Sequence, residues 1–168
     1  MAETPQQYSA RILGNLGDRD PIDVLATTPG RIEALVRGRS AVDLARRPEP
    51  TRWAVAEIVA HLADAEIVGA YRLRMMIATP GLPLQAYDQD RFADALDYRA
   101  ADVGDSLRTD AAVRASNLRL WRSTDPRWRA AFAVHAERGE ESVAHVGRLY
   151  AGHDLNHLTQ IEAILGAG

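Results

Sequence analysis

The stretch Val143-Ala144-His145-Val146-Gly147-Arg148-Leu149-Tyr150-Ala151-Gly152-His153-Asp154-Leu155-Asn156-His157-Leu158-Thr159-Gln160-Ile161-Glu162-Ala163-Ile164-Leu165 decides the fold. Read at the helical period, Val146, Leu149, Tyr150, Ile161 and Ile164 form one apolar stripe, and His153 and His157 fall in the middle of it. Residues at i and i+4 stand one turn apart on the same face, so two ring nitrogens can approach one point without distorting the backbone. That is a metal-ligand spacing. Histidines on an apolar face also serve as core residues hydrogen-bonded to a neighbour, so the pair leaves both readings open and needs a third ligand from elsewhere.

A third histidine lies in the helix expected from about Ala54 to Ala78, bounded by Trp53 and by Thr79-Pro80-Gly81. His61 sits there beside a stripe of Ile58, Leu62, Ala65 and Gly69, one turn beyond Glu57. Glu57 occupies the acidic half of a capping box whose hydroxyl half Ala54 lacks. The opposite side, Ala56, Ala63, Ile67 and Ala70, is also apolar, which calls for two buried sides, the second covered by another helix or by a dimer partner. Arg72 shares the angular position of His61, roughly 16 Å along the axis. It has three roles open to it: pairing with an inward acid, snorkelling to the bundle end, or anchoring an anionic substrate.

The remaining segments complete a bundle. Gln6 to Gly17 reads as a short leading helix, with Tyr8, Ile12, Leu13 and Leu16 at helical spacing. Thr28-Pro29 resembles an N-cap followed by proline at the first helical position and opens a helix from Pro29 to Gly38. Val103 to Arg122 carries a stripe of Val103, Leu107, Ala111, Leu118 and Trp121 that Arg114 interrupts. The last helix runs from Ser142 to Leu165. Gly81 to Asp102 is a long connection without a sustained period, of the kind that is often functional. His135 to Glu141 reads as a polar turn with His135 as a turn or cap residue, and His145, roughly 100° from the histidine pair, belongs to a flank. No segment reads as a strand. The expectation is one all-α domain over residues 1–168, a four-helix bundle with a short leading helix.

Composition narrows the chemistry. At 168 residues the chain suits one domain with a sizeable core. The absence of cysteine excludes disulfides, thiolate metal sites and a cysteine nucleophile, so any thiol must come from outside the chain. The first 20 residues hold no continuous hydrophobic run, which reads as neither a signal peptide nor a membrane span and makes the cytoplasm the expected location. A formal net charge of -3 with scattered arginines gives no footprint for nucleic acid. There is no phosphate-binding glycine loop, Cys/His zinc module or serine nucleophile elbow.

A bundle of these helices brings His61, His153 and His157 together. Three neutral imidazoles make a facial metal site with open positions, the arrangement suited to a metal that also holds water or substrate. The competing reading leaves His61 as a solvated or core histidine unrelated to the pair. Asp154 and Asn156 flank the histidine face and can orient its rings or contact substrate, or simply face solvent; Asp64, one turn past His61, has the same choice.

Three stretches together resemble a known family: Arg52-Trp53-Ala54-Val55-Ala56-Glu57-Ile58-Val59-Ala60-His61-Leu62-Ala63-Asp64-Ala65-Glu66, the Tyr87-Asp88-Gln89-Asp90 loop, and His153-Asp154-Leu155-Asn156-His157-Leu158-Thr159-Gln160-Ile161. In this order they look like the DinB-like (damage-inducible) superfamily of metal-binding four-helix bundles, and the likeness extends to Gly17-Asp18-Arg19-Asp20-Pro21 and Thr28-Pro29. The resemblance implies a crossover topology, a metal triad at His61, His153 and His157, and a homodimer. Where many relatives have a serine cap, this chain has Ala54. Members resemble one another in fold more than in function; some are thiol-dependent S-transferases or isomerases using bacillithiol, mycothiol or glutathione. The functional expectation is a metal-dependent thiol transferase or hydrolase acting on a small molecule, with zinc or nickel at the triad and a low-molecular-weight thiol where transfer requires one. Arg72 or Arg114 would hold an anionic group. The alternative is a non-catalytic, stress-associated module in which the triad only stabilises the bundle.

Overall fold

The computed structural model describes residues 3–123 and 125–166. The ends of the expected domain, residues 1, 2, 167 and 168, lie outside that range. Helix α1, Pro5–Leu16, starts at Thr4, which forms a reciprocal capping box with Gln7. Helix α2, Pro21–Val36, starts at Asp20, whose carboxylate accepts from the N–H groups of Ile22 and Asp23. The short α3, Ala41–Ala45, leads to α4, Val55–Ala78, where Glu57 accepts the Ala54 N–H at 2.8 Å and is held by Arg47. Next come β1, Leu82–Leu84, α5, Gln89–Ala95, a 3-10 turn at Tyr98–Ala100 and α6, Val103–Trp121. A short α7, Pro126–Ala130, precedes β2, Phe132–His135, β3, Gly139–Ser142, and α8, Val143–Leu165, capped by Ser142.

The long helices α2, α4, α6 and α8 form a four-helix bundle, and α1 lies along α8. Ile32 and Val36 of α2, Ile58, Val59 and Leu62 of α4, and Leu158 and Ile161 of α8 fill one apolar core. α4 packs mainly on α6 and α8, and α2 on α8 and α6. The links from α2 to α4 and from α6 to α8 therefore run between diagonal partners, which makes the topology a crossover one. The long α4–α6 connection joins neighbours.

Two expectations need correction. The first bundle helix begins at Pro21, and Pro29 lies inside it. A proline there removes the N–H that would bond the Leu25 carbonyl; the Arg114 Nη1 donates to that carbonyl at 2.9 Å, so the helix continues. The second correction is a small sheet. β1 pairs parallel with β2, which pairs antiparallel with β3, and the expected polar turn at His135 to Glu141 is the tip and return strand of this hairpin. Strands of three and four residues are too short to declare a period of two. The sheet closes one end of the bundle, with Leu84 and Ala133 packed near Leu73, Met76 and Val146.

Candidate metal centre

His61 on α4 and His153 and His157 on α8 turn their rings toward one point. His153 Nε2 lies 3.1 Å from His61 Nε2 and 3.1 Å from His157 Nε2, and the three candidate ligand atoms all fall within 4.8 Å of one another. The His157 Nδ1–H donates to Gln160 Oε1 at 2.8 Å, which leaves the His157 Nε2 lone pair facing the other rings. Trp53 packs on His61 with ring centroids 5.0 Å apart. His61 is 1% and His157 6% exposed, while His153 is partly open. Burial first, and the charge of the neighbouring imidazoles second, hold His61 down to about 3 and His153 well below its ordinary value; burial holds His157 to about 4 against the opposing pull of Gln160 and Asp154.

All three rings are neutral at pH 7, so their lone pairs are free to bind. With His157 protonated at Nδ1, at most one proton can serve the two 3.1 Å contacts, and hydrogen bonding alone leaves one of them as a meeting of lone pairs. A divalent cation at the convergence removes that conflict, and imidazole nitrogen suits zinc and nickel. The donor set fits a metal. Among the described residues, the cluster of candidate ligands contains these three histidines and no carboxylate.

Two cavities meet the triad. The larger, about 420 Å³, has His153 in its wall, with Thr4 and Tyr8 of α1, Arg72 and Met76 of α4, Tyr87 and Tyr150. The smaller, about 260 Å³, is lined by His157, Gln160, Asn156, Trp53 and Arg11. Tyr150 reaches the larger cavity because α4 has a glycine opposite it: a Cβ on Gly69 would stand 2.5 Å from the Tyr150 ring.

The other candidate residues take separate places. Arg114 and Asp154 are buried together away from the cavities, with Nη1 to Asp154 Oδ2 at 2.6 Å, Nη2 to Oδ1 at 3.2 Å and Nε to Glu66 Oε2 at 2.9 Å. This arginine is committed to interior carboxylates and leaves nothing for an anionic substrate. Asp110 faces the same guanidinium at 3.8 Å, and burial pushes its carboxyl up to about 7. Asn156 accepts from Arg11 at 3.0 Å at the edge of the smaller cavity, and Asp64 accepts from the Tyr98 hydroxyl at 2.8 Å. Arg72 does line the larger cavity, and so does His135, which the sequence consigned to a turn. Gln160, also missed, carried one signal: it lies three residues past His157, on the adjoining turn.

A crossed four-helix bundle holding an open three-histidine centre is the class that fold and site define. The chain belongs to the DinB superfamily, whose family model matches residues 25–161. Among curated proteins it is 27% identical over 112 residues to "Putative metal-dependent hydrolase OB0782" of Oceanobacillus iheyensis; that match covers 67% of this chain and 64% of the relative, short of two thirds of its length. It is 23% identical over 159 residues to "Putative metal-dependent hydrolase BH0277" of Halalkalibacterium halodurans, covering 86% of this chain and 84% of the relative. Among solved structures it is similar in fold to YfiT from Bacillus subtilis, described as a probable metal-dependent hydrolase with an unusual four-helix bundle topology. The TM-score is 0.75 at 20% identity, with 98% of this chain and 91% of YfiT covered. No helix among the described residues is long and apolar enough to cross a membrane.

Proposed function

We propose that the chain is a cytoplasmic metal-dependent hydrolase of a small molecule, with His61, His153 and His157 holding one zinc or nickel ion. The observation that carries this reading is the convergence of three neutral imidazoles beside a cavity of about 420 Å³, with His153 shared between the two. A divalent ion held there supplies two things, a lowered pKa for a bound water and polarisation of a carbonyl. The chain's own residues do the rest. Gln160 fixes the His157 tautomer and ring plane, Trp53 shields His61 from water, and the walls of the cavity position the substrate. The names of the relatives in Oceanobacillus and Halalkalibacterium favour hydrolysis over thiol transfer.

Two copies associate through the outward strip of α4, where Ile67 is 46% and Tyr71 63% exposed one turn apart. Light scattering at micromolar concentration then gives a dimer mass, and a monomer mass contradicts it.

The functional test compares zinc- and nickel-loaded wild type with His157→Ala. Ester and amide panels are run without thiol, and chloro- and epoxide-type electrophiles with several low-molecular-weight thiols. Hydrolysis that needs metal and is lost in His157→Ala supports the proposal. Turnover only with added thiol would replace it with S-transfer. No turnover on any panel, with a large loss of melting temperature on chelation, would make the triad a structural element.

A further inference from the structure

The wall of the larger cavity contributed by the hairpin and the far part of α4 carries polar groups that the triad does not use. His135, at the end of β2, is 2% exposed and lines the cavity. Its Nδ1 accepts the Glu137 backbone N–H at 3.2 Å, so the neutral ring carries its proton on Nε2. The ring is neutral at pH 7, since burial first and the Arg138 charge second lower its pKa. That Nε2–H has no hydrogen-bond partner among the described residues.

Arg72 lines the same cavity. Its Nη2 donates to the Gln85 carbonyl, and its guanidinium carbon lies 5.5 Å from the centroid of the Tyr87 ring. Among the described residues it forms no ion pair. The other charges of the cavity wall are spoken for or peripheral. Arg138 is neutralised by buried Glu141 through bonds of 2.6 and 2.9 Å, Glu3 pairs with Arg11 at 2.9 Å, and Glu137 stands exposed at the rim. The cavity therefore offers one uncompensated positive charge, on Arg72, and one N–H donor, on the buried His135, in a wall that also carries the rings of Tyr87 and Tyr150.

A carboxylate leaving water needs a counter-charge and donors for its lone pairs, and a guanidinium answers both in one group. We infer that Arg72 and the His135 Nε2–H hold the carboxylate of the substrate, which makes the substrate class a small carboxylic acid bearing a hydrolysable ester or amide toward His153. The assignment of the hydrolysable group rests on the function proposed above; the carboxylate site does not. One positive charge matches a monoanion, whereas a phosphate dianion would bring a second charge with no partner.

The test titrates the zinc-loaded, full-length protein with matched acid and amide pairs, hexanoate against hexanamide and phenylacetate against phenylacetamide, followed by 1H–15N NMR. The acids are expected to bind at least tenfold more tightly and to shift the Arg72 Nε–H and His135 Nε2–H resonances. In Arg72→Gln the preference falls below twofold, and Arg72→Lys keeps part of it. A preference undiminished in Arg72→Gln, as direct capture of the acid at the histidines would produce, overturns the inference. So does equal affinity for acid and amide, a failure of all four compounds to bind, or tighter binding of inorganic phosphate than of either acid. If Arg72→Gln does not fold, the His135 Nε2–H resonance of the wild type decides alone: no shift with saturating acid overturns the site. Acid preference without hydrolysis of any ester or amide would contradict the hydrolase reading and leave the carboxylate site standing.

Discussion

His157 is held from behind by Gln160, and that single contact sets which of its nitrogens faces the centre. Replacing Gln160 with Leu frees the ring and its tautomer, so metal affinity should fall by roughly 10- to 100-fold in competition with a chromophoric chelator; unchanged affinity would show that the ring needs no such support. The three clustered histidines were legible in the sequence: His153 and His157 because their i,i+4 spacing is local to α8, and His61 because its place beside an apolar stripe follows from the helical period of α4. Their supports were not. Asp154 adjoins His153 yet turns to Arg114, a partner 40 residues away, whereas nothing in the spacing of Gln160 alone separates it from the other polar residues of α8. Protonation gives a second prediction. The rings' folded-state values, about 3 for His61 and about 4 for His157, lie below the unfolded value of about 6.5, so the folded chain binds fewer protons. The stability tied to the neutral triad is therefore complete above pH 6.5 and is lost as pH falls toward those values. Metal-free wild type should lose more melting temperature between pH 7 and pH 5 than His61→Leu does. Parallel curves for the two proteins would contradict this.

Helix α2 continues through Pro29 because Arg114, from α6, takes the carbonyl that the proline leaves open. Thr28-Pro29 reads locally as a helix start, but the chain is capped earlier, at Asp20, and the guanidinium that serves the Leu25 carbonyl comes from 89 residues away, beyond the reach of any local pattern. The same arginine offsets Asp154 and Glu66, so Arg114→Met strands two buried carboxylates and a helix carbonyl. Urea denaturation should show a loss of about 3–5 kcal/mol, and a loss within error of zero would mean that the carboxylates are neutral without it. Helix α1 depends on a different device. A Cβ on Gly152 would lie 2.0 Å from the Ile12 carbonyl oxygen, so Gly152→Ala must push α1 off α8. A cost of about 1–3 kcal/mol is expected, with faster amide exchange in Pro5–Leu16 than in α2. Equal protection in both helices would contradict that packing. The strands stayed hidden because pairing across the chain, and no local pattern, holds β1 against β2.

The whole molecule is a device for bringing His61 to a pair of histidines 92 and 96 positions further on. The crossed bundle does this by setting α4 beside α8, while α1, the α4–α6 connection and the hairpin wall off the space in front of His153. Fold class and triad could be read from the sequence since both rest on long periodic helices; the cavity could not, because its walls come from short elements placed by distant contacts. The measurement that tests the central claim most directly is metal content by elemental analysis after matched chelation, reloading with zinc or nickel, and removal of excess. Wild type should retain about one divalent ion per chain, as three neutral imidazoles at one point require, and His153→Ala should retain almost none. Equal metal content in the two proteins would contradict a centre built on His61, His153 and His157.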